Sequence, residues 1–93
     1  MKIKDLDFNF FIGNTSDGID VMATNIGLYV GNEISSTYDG NETIETAEDL
    51  KDAINEAIFD CDILTSDEKE ELSMLLYNDA AVEIDYWWRN EYE

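Results

Sequence analysis

The chain has 93 residues, of which 23 are acidic and 5 are basic, with no histidine, one cysteine and a formal net charge of -18. This length suits a single domain over residues 1–93, and 44% hydrophobic content argues for a packed core and against a disordered acidic tail. The charge argues against nucleic acids and anionic membranes as binding partners, because both carry the same sign. The first eight residues (MKIKDLDF) lack the apolar region of a signal peptide, so we expect a cytoplasmic protein.

Alternating apolar and polar residues predict strands in the N-terminal half of the chain. We expect a small antiparallel sheet of three or four strands, at about 6–12, 19–24, 27–30 and 33–38. Gly31 and Asn32 suit a two-residue hairpin turn, because glycine readily takes the positive φ required at the first position.

Helical periodicity begins at Thr46. One face of the segment that follows is apolar, formed by Leu50, Ala53, Ile54, Ala57, Ile58 and Cys61. Thr46 and Asp49 have the spacing of a capping box, which begins a helix by satisfying two backbone N–H groups. We therefore predict a helix at 46–60, with Cys61 as a small core residue.

A second capping box, Thr65 with Glu68, predicts another helix at 66–77. If that helix continued unbroken, Asp79 and Glu83 would lie on its buried side. The sequence therefore predicts a break at about this point and a third helix after it, although the terminal segment also alternates as a strand would. The whole pattern indicates an α+β domain, with a small antiparallel sheet followed by two or three helices.

The polar face of the predicted helix at 46–60 is almost wholly acidic, with Lys51 near the edge of the acidic arc. Carboxylates four residues apart destabilise a helix by about 0.2–0.5 kcal/mol per pair, so alternating lysines would have served solubility better. We interpret this face as a surface for a basic partner, formed by Glu48, Asp49, Asp52, Glu56, Phe59 and Asp60. The alternative is a solvated face with one stray aromatic residue.

Two further groups are candidates for the same surface. Asp67, Glu70 and Glu71 crowd the first turns of the second predicted helix, although the helix dipole also favours acids there. Trp87 and Trp88 are adjacent, and neighbouring residues of a helix point about 100° apart. We favour internal packing of both indoles. The alternative is that one indole anchors the terminal segment on the sheet and the other, for which Trp87 is the candidate, contacts a partner.

Catalytic and metal sites have little support in the sequence. With no histidine, the single cysteine has no imidazole to activate it, so we predict no catalytic residue and no enzyme. The run from Asp60 to Glu71 places acids at positions one, three, nine and twelve of a calcium loop, but Thr65 stands at position six, where glycine is needed. We therefore predict neither a metal nor a cofactor.

In size, charge and layout, though in no residue motif, the chain resembles the small acidic DNA-mimic inhibitors of phages and mobile elements, anti-CRISPR and anti-restriction proteins among them. Carboxylates about 6 Å apart along a helix approximate the phosphates of one DNA strand. The resemblance implies an inhibitor that occupies the basic groove of a nucleic-acid-binding host defence protein, such as a CRISPR effector or a restriction enzyme. Two alternatives stay open: an immunity protein or antitoxin that blocks a basic toxin, and an acidic interaction domain without an inhibitory role.

Overall fold

The computed structural model describes residues 1–39 and 41–93. The N-terminal half forms a four-stranded antiparallel sheet in the order β1-β2-β3-β4. Its strands are β1 (Asn9–Asn14), β2 (Asp20–Thr24), β3 (Gly27–Val30) and β4 (Glu33–Thr37). Each strand pairs with its neighbour in sequence, so the sheet is a meander. The predicted antiparallel sheet is thus confirmed, with four strands.

The first strand begins later than its alternating pattern predicts. Leu6 and Phe8 are buried as expected, but β1 starts at Asn9. The residues before it form a 3₁₀ turn at Ile3–Asp5, which the Leu6 N–H closes by donating to the carbonyl of Ile3 at 3.2 Å. The alternating pattern therefore predicted correctly that Leu6 and Phe8 are buried, but it did not predict the residue at which pairing with β2 begins.

The tight turn predicted between β3 and β4 is confirmed. Val30 pairs with Glu33, which leaves Gly31 and Asn32 as the two turn residues. Gly31 has φ of 70°, and no residue other than glycine has a positive φ within the described part of the chain. This combination is that of a type II′ hairpin turn.

The C-terminal half forms helices α1 (Ala47–Phe59), α2 (Ser66–Leu75) and α3 (Ala81–Tyr92). Both predicted capping boxes are present, at the starts of α1 and α2. The apolar face predicted for the first helix is buried throughout, including Cys61. Together with the sheet, these helices confirm the predicted α+β fold.

The break predicted near Asp79 is wrong, because a five-residue π-helical segment, Leu76–Ala80, joins α2 to α3. We call the resulting continuous element, residues 66–92, the long helix. A π turn holds one more residue than an α turn, so it changes the phase of the following residues by about 100°. Asp79 and Glu83 are consequently exposed, while Ile84 and Trp88 face the core.

The core lies between one face of the sheet and the helices that cover it. Its fully buried side chains include Leu28 of β3, Ile54 of α1, and Leu72 and Ile84 of the long helix. In residues 1–39 and 41–93, no helix packs on the other face of the sheet. Among the described residues, no helix is both long and apolar enough to span a bilayer.

Candidate partner-binding surface

The outer surface of the helical layer is formed where α1 and the long helix lie side by side. The Ser73 hydroxyl donates to Asn55 Oδ1 at 2.6 Å, and the Tyr77 hydroxyl donates to Asp52 Oδ1 at 2.6 Å. Because the residue numbers rise along one helix and fall along the other, the two helices are antiparallel. Together the two helices form the helical layer, which carries all of the predicted binding residues.

Three of the acids predicted on α1 already have partners within the protein. Glu48 Oε2 lies 3.0 Å from Lys51 Nζ, and Asp52 accepts the hydrogen bond from Tyr77. Asp49 closes the capping box of α1 by accepting two backbone hydrogen bonds, at 2.9 and 3.2 Å. These carboxylates contribute to the local structure and are less available to a second protein.

The other two acids of the predicted face, Glu56 and Asp60, are exposed at the C-terminal end of α1. In residues 1–39 and 41–93, neither carboxylate has a hydrogen-bond or ion-pair partner. Phe59, between them in sequence, leaves 45% of its surface exposed. The structure therefore brings two free carboxylates and an aromatic ring together at this end of the helix.

Lys51 is buried and does not lie at the edge of the acidic arc as predicted. Only 7% of its surface is exposed, and its Nζ lies 3.0 Å from both Glu48 Oε2 and Asp85 Oδ1. Burial lowers the pKa of Lys51, but the hydrogen bonds and charges of these carboxylates outweigh it, so the pKa is raised. The sequence held no signal for this arrangement, because Asp85 is 34 residues away.

A second group of acids meets α1 from the side of the sheet. A cavity of about 260 Å³ lies between α1 and the loop after β4, lined by Asp39 and Glu42 from the loop and by Glu56 and Asp60 from the helix. The pKa of Glu42 is raised, first by burial and then by the charges of Glu56, Asp39 and Asp49. No helical or strand period marks Asp39 and Glu42, so sequence reasoning missed them.

The acids predicted on α2, Asp67, Glu70 and Glu71, are all exposed. None of these carboxylates has a hydrogen-bond or ion-pair partner among the described residues. Glu71 also lines a cavity of about 520 Å³ between the long helix and β1, together with Asp79 and Glu83. The long helix therefore also carries free carboxylates, with Glu71 on the side that faces β1.

Glu68, in the same turn, has a different role. Its Oε1 accepts a hydrogen bond from the Thr65 N–H at 2.8 Å, and its Oε2 accepts two from Ser16. In the calcium-loop pattern, Glu68 would be the ligand at position nine. Both of its carboxylate oxygens instead accept hydrogen bonds within the protein. In the part of the chain that the structure describes, no group of three or more His, Cys, Asp or Glu residues is placed to hold a metal ion.

The two tryptophans both pack against the body of the protein. Trp88 is 5% exposed and is part of the core, but the indole that contacts β1 is that of Trp87. Trp87 is half-buried, with its ring edge-on to Phe8 and Phe10 at centroid distances of 5.9 and 5.5 Å. Trp87 therefore offers a partner only part of its ring.

Few of the negative charges are neutralised within the protein. In the described residues both ion pairs involve Lys51, and they engage Glu48 and Asp85. The remaining negative charge is carried mainly by exposed acids, and much of it lies on the helical layer.

No family model matches the chain, and neither the curated proteins nor the solved structures contain a match. The resemblance to DNA-mimic inhibitors therefore depends on size, charge and layout.

Proposed function

We propose that this protein is a DNA mimic that inhibits a nucleic-acid-binding host defence protein, such as a CRISPR effector or a restriction enzyme, by occupying its basic groove. The observation that carries the proposal is a set of exposed carboxylates on the helical layer with no internal partner among the described residues. They are Glu56, Asp60, Asp67, Glu70 and Glu71. We call this set the free carboxylates.

The charge density of the protein is close to that of duplex DNA. A net charge of -18 along a longest dimension of 37 Å gives about one net charge per 2 Å, against about one per 1.7 Å for the duplex. A basic groove that binds DNA would meet a field of similar strength. Electrostatic attraction would also speed the encounter.

The acids at the end of α1 are placed where they disfavour folding. Glu56 lies in the last turn and Asp60 is the C-cap, and no basic residue lies in that turn. The C-terminal end of a helix carries partial negative charge, so cations there are favoured by about 0.3–1 kcal/mol and anions are disfavoured. A charge that opposes local stability is more readily explained by binding than by folding.

Phe59 gives the same region an apolar contact. Aromatic side chains surrounded by polar residues commonly anchor protein interfaces, where they lose water and are held by close packing. Its exposed ring, between Glu56 and Asp60 in sequence, would insert among the aliphatic stems of lysine or arginine side chains of the target.

The test is an assay of DNA cleavage by a guide-loaded CRISPR effector and by a restriction enzyme, with the protein added in increasing amounts. We expect inhibition that weakens as DNA concentration or salt is raised, because the inhibitor and DNA would compete for one basic groove. Changing Glu56→Gln and Asp60→Asn together should weaken inhibition at least tenfold, since cutting one partner of a desolvated charge pair costs about 2–5 kcal/mol. Asp52 is left unchanged because it accepts the Tyr77 hydrogen bond.

The matched control changes Asp5→Asn and Glu33→Gln, two exposed acids outside the helical layer. It removes the same two charges and should inhibit nearly as well as the unchanged protein. Equal inhibition by the two double variants would show that total charge, and not this surface, is what acts. Failure to inhibit either nuclease, with tight binding to a basic toxin, would favour an immunity protein.

A further inference from the structure

A groove runs along the outer edge of β1, between that strand and the long helix. It consists of the cavity of about 520 Å³ described above and a second cavity of about 390 Å³. Glu83 lines both cavities, so they adjoin at this residue. Residues 7–16 line one side, and residues of the long helix between 71 and 91 line the other. We call the two cavities together the β1 groove.

The length of the β1 groove follows from the two elements that border it. An extended chain rises about 3.3 Å per residue, so residues 7–16 span about 30 Å. An α-helix rises 1.5 Å per residue, so residues 71–91 also span about 30 Å. The groove is therefore long enough for about nine residues of extended chain.

The edge of β1 that borders this groove has no neighbouring strand. The order β1-β2-β3-β4 leaves β1 paired with β2 alone. Neighbouring side chains of a strand point to opposite faces of the sheet, yet ten consecutive residues, 7–16, line the groove. The groove therefore follows the backbone itself, on the side where the N–H and C=O groups of β1 have no strand partner in the described residues. Such an edge is a template for one further strand.

The charged residues that line the β1 groove are all acids. Asp7 lies on the side of the strand, and Glu71, Asp79, Glu83 and Glu91 lie on the side of the helix. All five are exposed, and none of their carboxylates has a hydrogen-bond or ion-pair partner in residues 1–39 and 41–93. An extended segment with lysine and arginine side chains would meet only charges of the opposite sign there.

Tyr86 and Trp87 give the β1 groove an aromatic wall. Tyr86 is 65% exposed, whereas Trp87 is half-buried and packs edge-on against two phenylalanines of the sheet side. Glu83, Trp87 and Glu91 are four residues apart, so on α3 an indole stands between two carboxylates in one row. Aromatic rings attract the cations of lysine and arginine within about 6 Å and pack against their aliphatic stems.

We propose that the β1 groove binds an extended segment of a partner protein that is rich in lysine and arginine and adds to the sheet beside β1. Its backbone would pair with the edge of the strand, and its cationic side chains would reach the acids and rings of the long helix. The register of β1 shifts between Phe11 and Gly13, so regular pairing is expected at residues 9–11. Of the free carboxylates, Glu71 alone lines this groove, so the site extends beyond the surface proposed to mimic DNA.

The test uses two fluorescently labelled nine-residue peptides of alternating arginine and valine, titrated with the whole chain at physiological salt. One peptide has an ordinary backbone. The other is N-methylated at every internal peptide bond, so it keeps the charge but has no N–H donors for a strand edge. We expect the N-methylated peptide to bind at least about tenfold more weakly, because several backbone hydrogen bonds are lost. The ordinary peptide should also slow amide hydrogen exchange at residues 9–11.

A pair of double variants tests the acids of the groove. Glu83→Gln with Glu91→Gln should weaken binding of the ordinary peptide by roughly threefold or more, since exposed ion pairs each contribute modestly. The control, Glu33→Gln with Glu45→Gln, removes the same charge from exposed positions outside the groove. It should weaken binding by less than about twofold, because distant charges are screened at this salt concentration.

Equal affinity for the two peptides overturns the proposal, and so does unchanged exchange at residues 9–11. Equal weakening by the two double variants overturns it as well, because attraction to the net charge would then account for binding. Circular dichroism confirms that each variant is folded, and the two peptides with the unchanged protein decide the question if one is not. No nuclease takes part in this assay, so its outcome is independent of the test of DNA mimicry.

Discussion

Ser16 and Glu68, 52 residues apart in sequence, are joined by two hydrogen bonds. Glu68 Oε2 accepts one from the Ser16 backbone N–H at 2.7 Å and one from its hydroxyl at 2.8 Å. The other oxygen of the same carboxylate completes the capping box with Thr65. One buried acid therefore begins α2 and also holds the turn between β1 and β2 against it.

We predict that Glu68→Gln destabilises the protein at neutral pH and has little effect in strong acid. Hydrogen bonds from the Thr65 backbone and then from Ser16 lower the pKa of Glu68 from its ordinary 4.5 to about 2. A lowered pKa in the folded state means that the stabilisation is complete above about pH 4.5 and is lost as the pH falls toward 2. Urea unfolding of both proteins across this range measures the free energies of unfolding, which should converge at low pH.

Glu70→Gln is the control, because Glu70 is exposed and without a partner in the described residues. It should not lower the free energy of unfolding at neutral pH. A difference between Glu68→Gln and the unchanged protein that stays constant down to pH 2 would contradict the role given to this carboxylate.

We predict that added monovalent salt raises the thermal midpoint at neutral pH. The reason is screening of the repulsion within a folded protein of net charge -18. Thermal melts of the unchanged protein, recorded from low to moderate salt, measure this midpoint. A midpoint that stays flat or falls would mean that the acids are mostly compensated within the protein, which would remove the main premise of DNA mimicry.

We predict that deletion of Asn78 is tolerated. Asn78 is an exposed residue of the π-helical segment, which holds one residue more than an α-helical turn needs. Without it, the segment should become α-helical while Ile84 and Trp88 keep their positions in the core. The measurements are circular dichroism for helix content and urea unfolding, and we expect a change in the free energy of unfolding within about 1 kcal/mol.

Deletion of Glu56 is the matched control, since it removes an exposed residue from a regular α-helix. It should turn Ala57 and Ile58 away from the core by about 100° and cost several kcal/mol, as loss of one buried isoleucine alone costs about 2–5 kcal/mol. If the two deletions are equally harmful, the π turn does not set the phase of α3.

Local rules were enough to predict much of this fold from sequence. The capping boxes at Thr46 and Thr65 involve residues three apart, and the turn at Gly31 depends on the conformational freedom of one glycine. Each is a short-range effect, so the sequence around it contains the whole cause. The same is true of the apolar face of α1, which periodicity alone identified.

What sequence reasoning missed depends on residues that are far apart in the chain. Lys51 looked like part of a polar face, and its burial follows from a pairing with Asp85 on another helix. Asp39 and Glu42 join the acids of α1 only because the loop after β4 folds back toward that helix. A regular α-helix through this region would bury Asp79, as the sequence indicated. The protein avoids this through the extra residue of the π-helical segment, and the helix does not end there.

The meander order of the sheet has a consequence for how fast the protein folds. Two of its three connections contain only two residues, so the strands can pair without closing long loops. The chain also has no proline, whose isomerisation is the commonest cause of a slow phase lasting tens of seconds. Refolding from denaturant should therefore proceed without such a phase, on the short timescale of hairpin formation and helix docking.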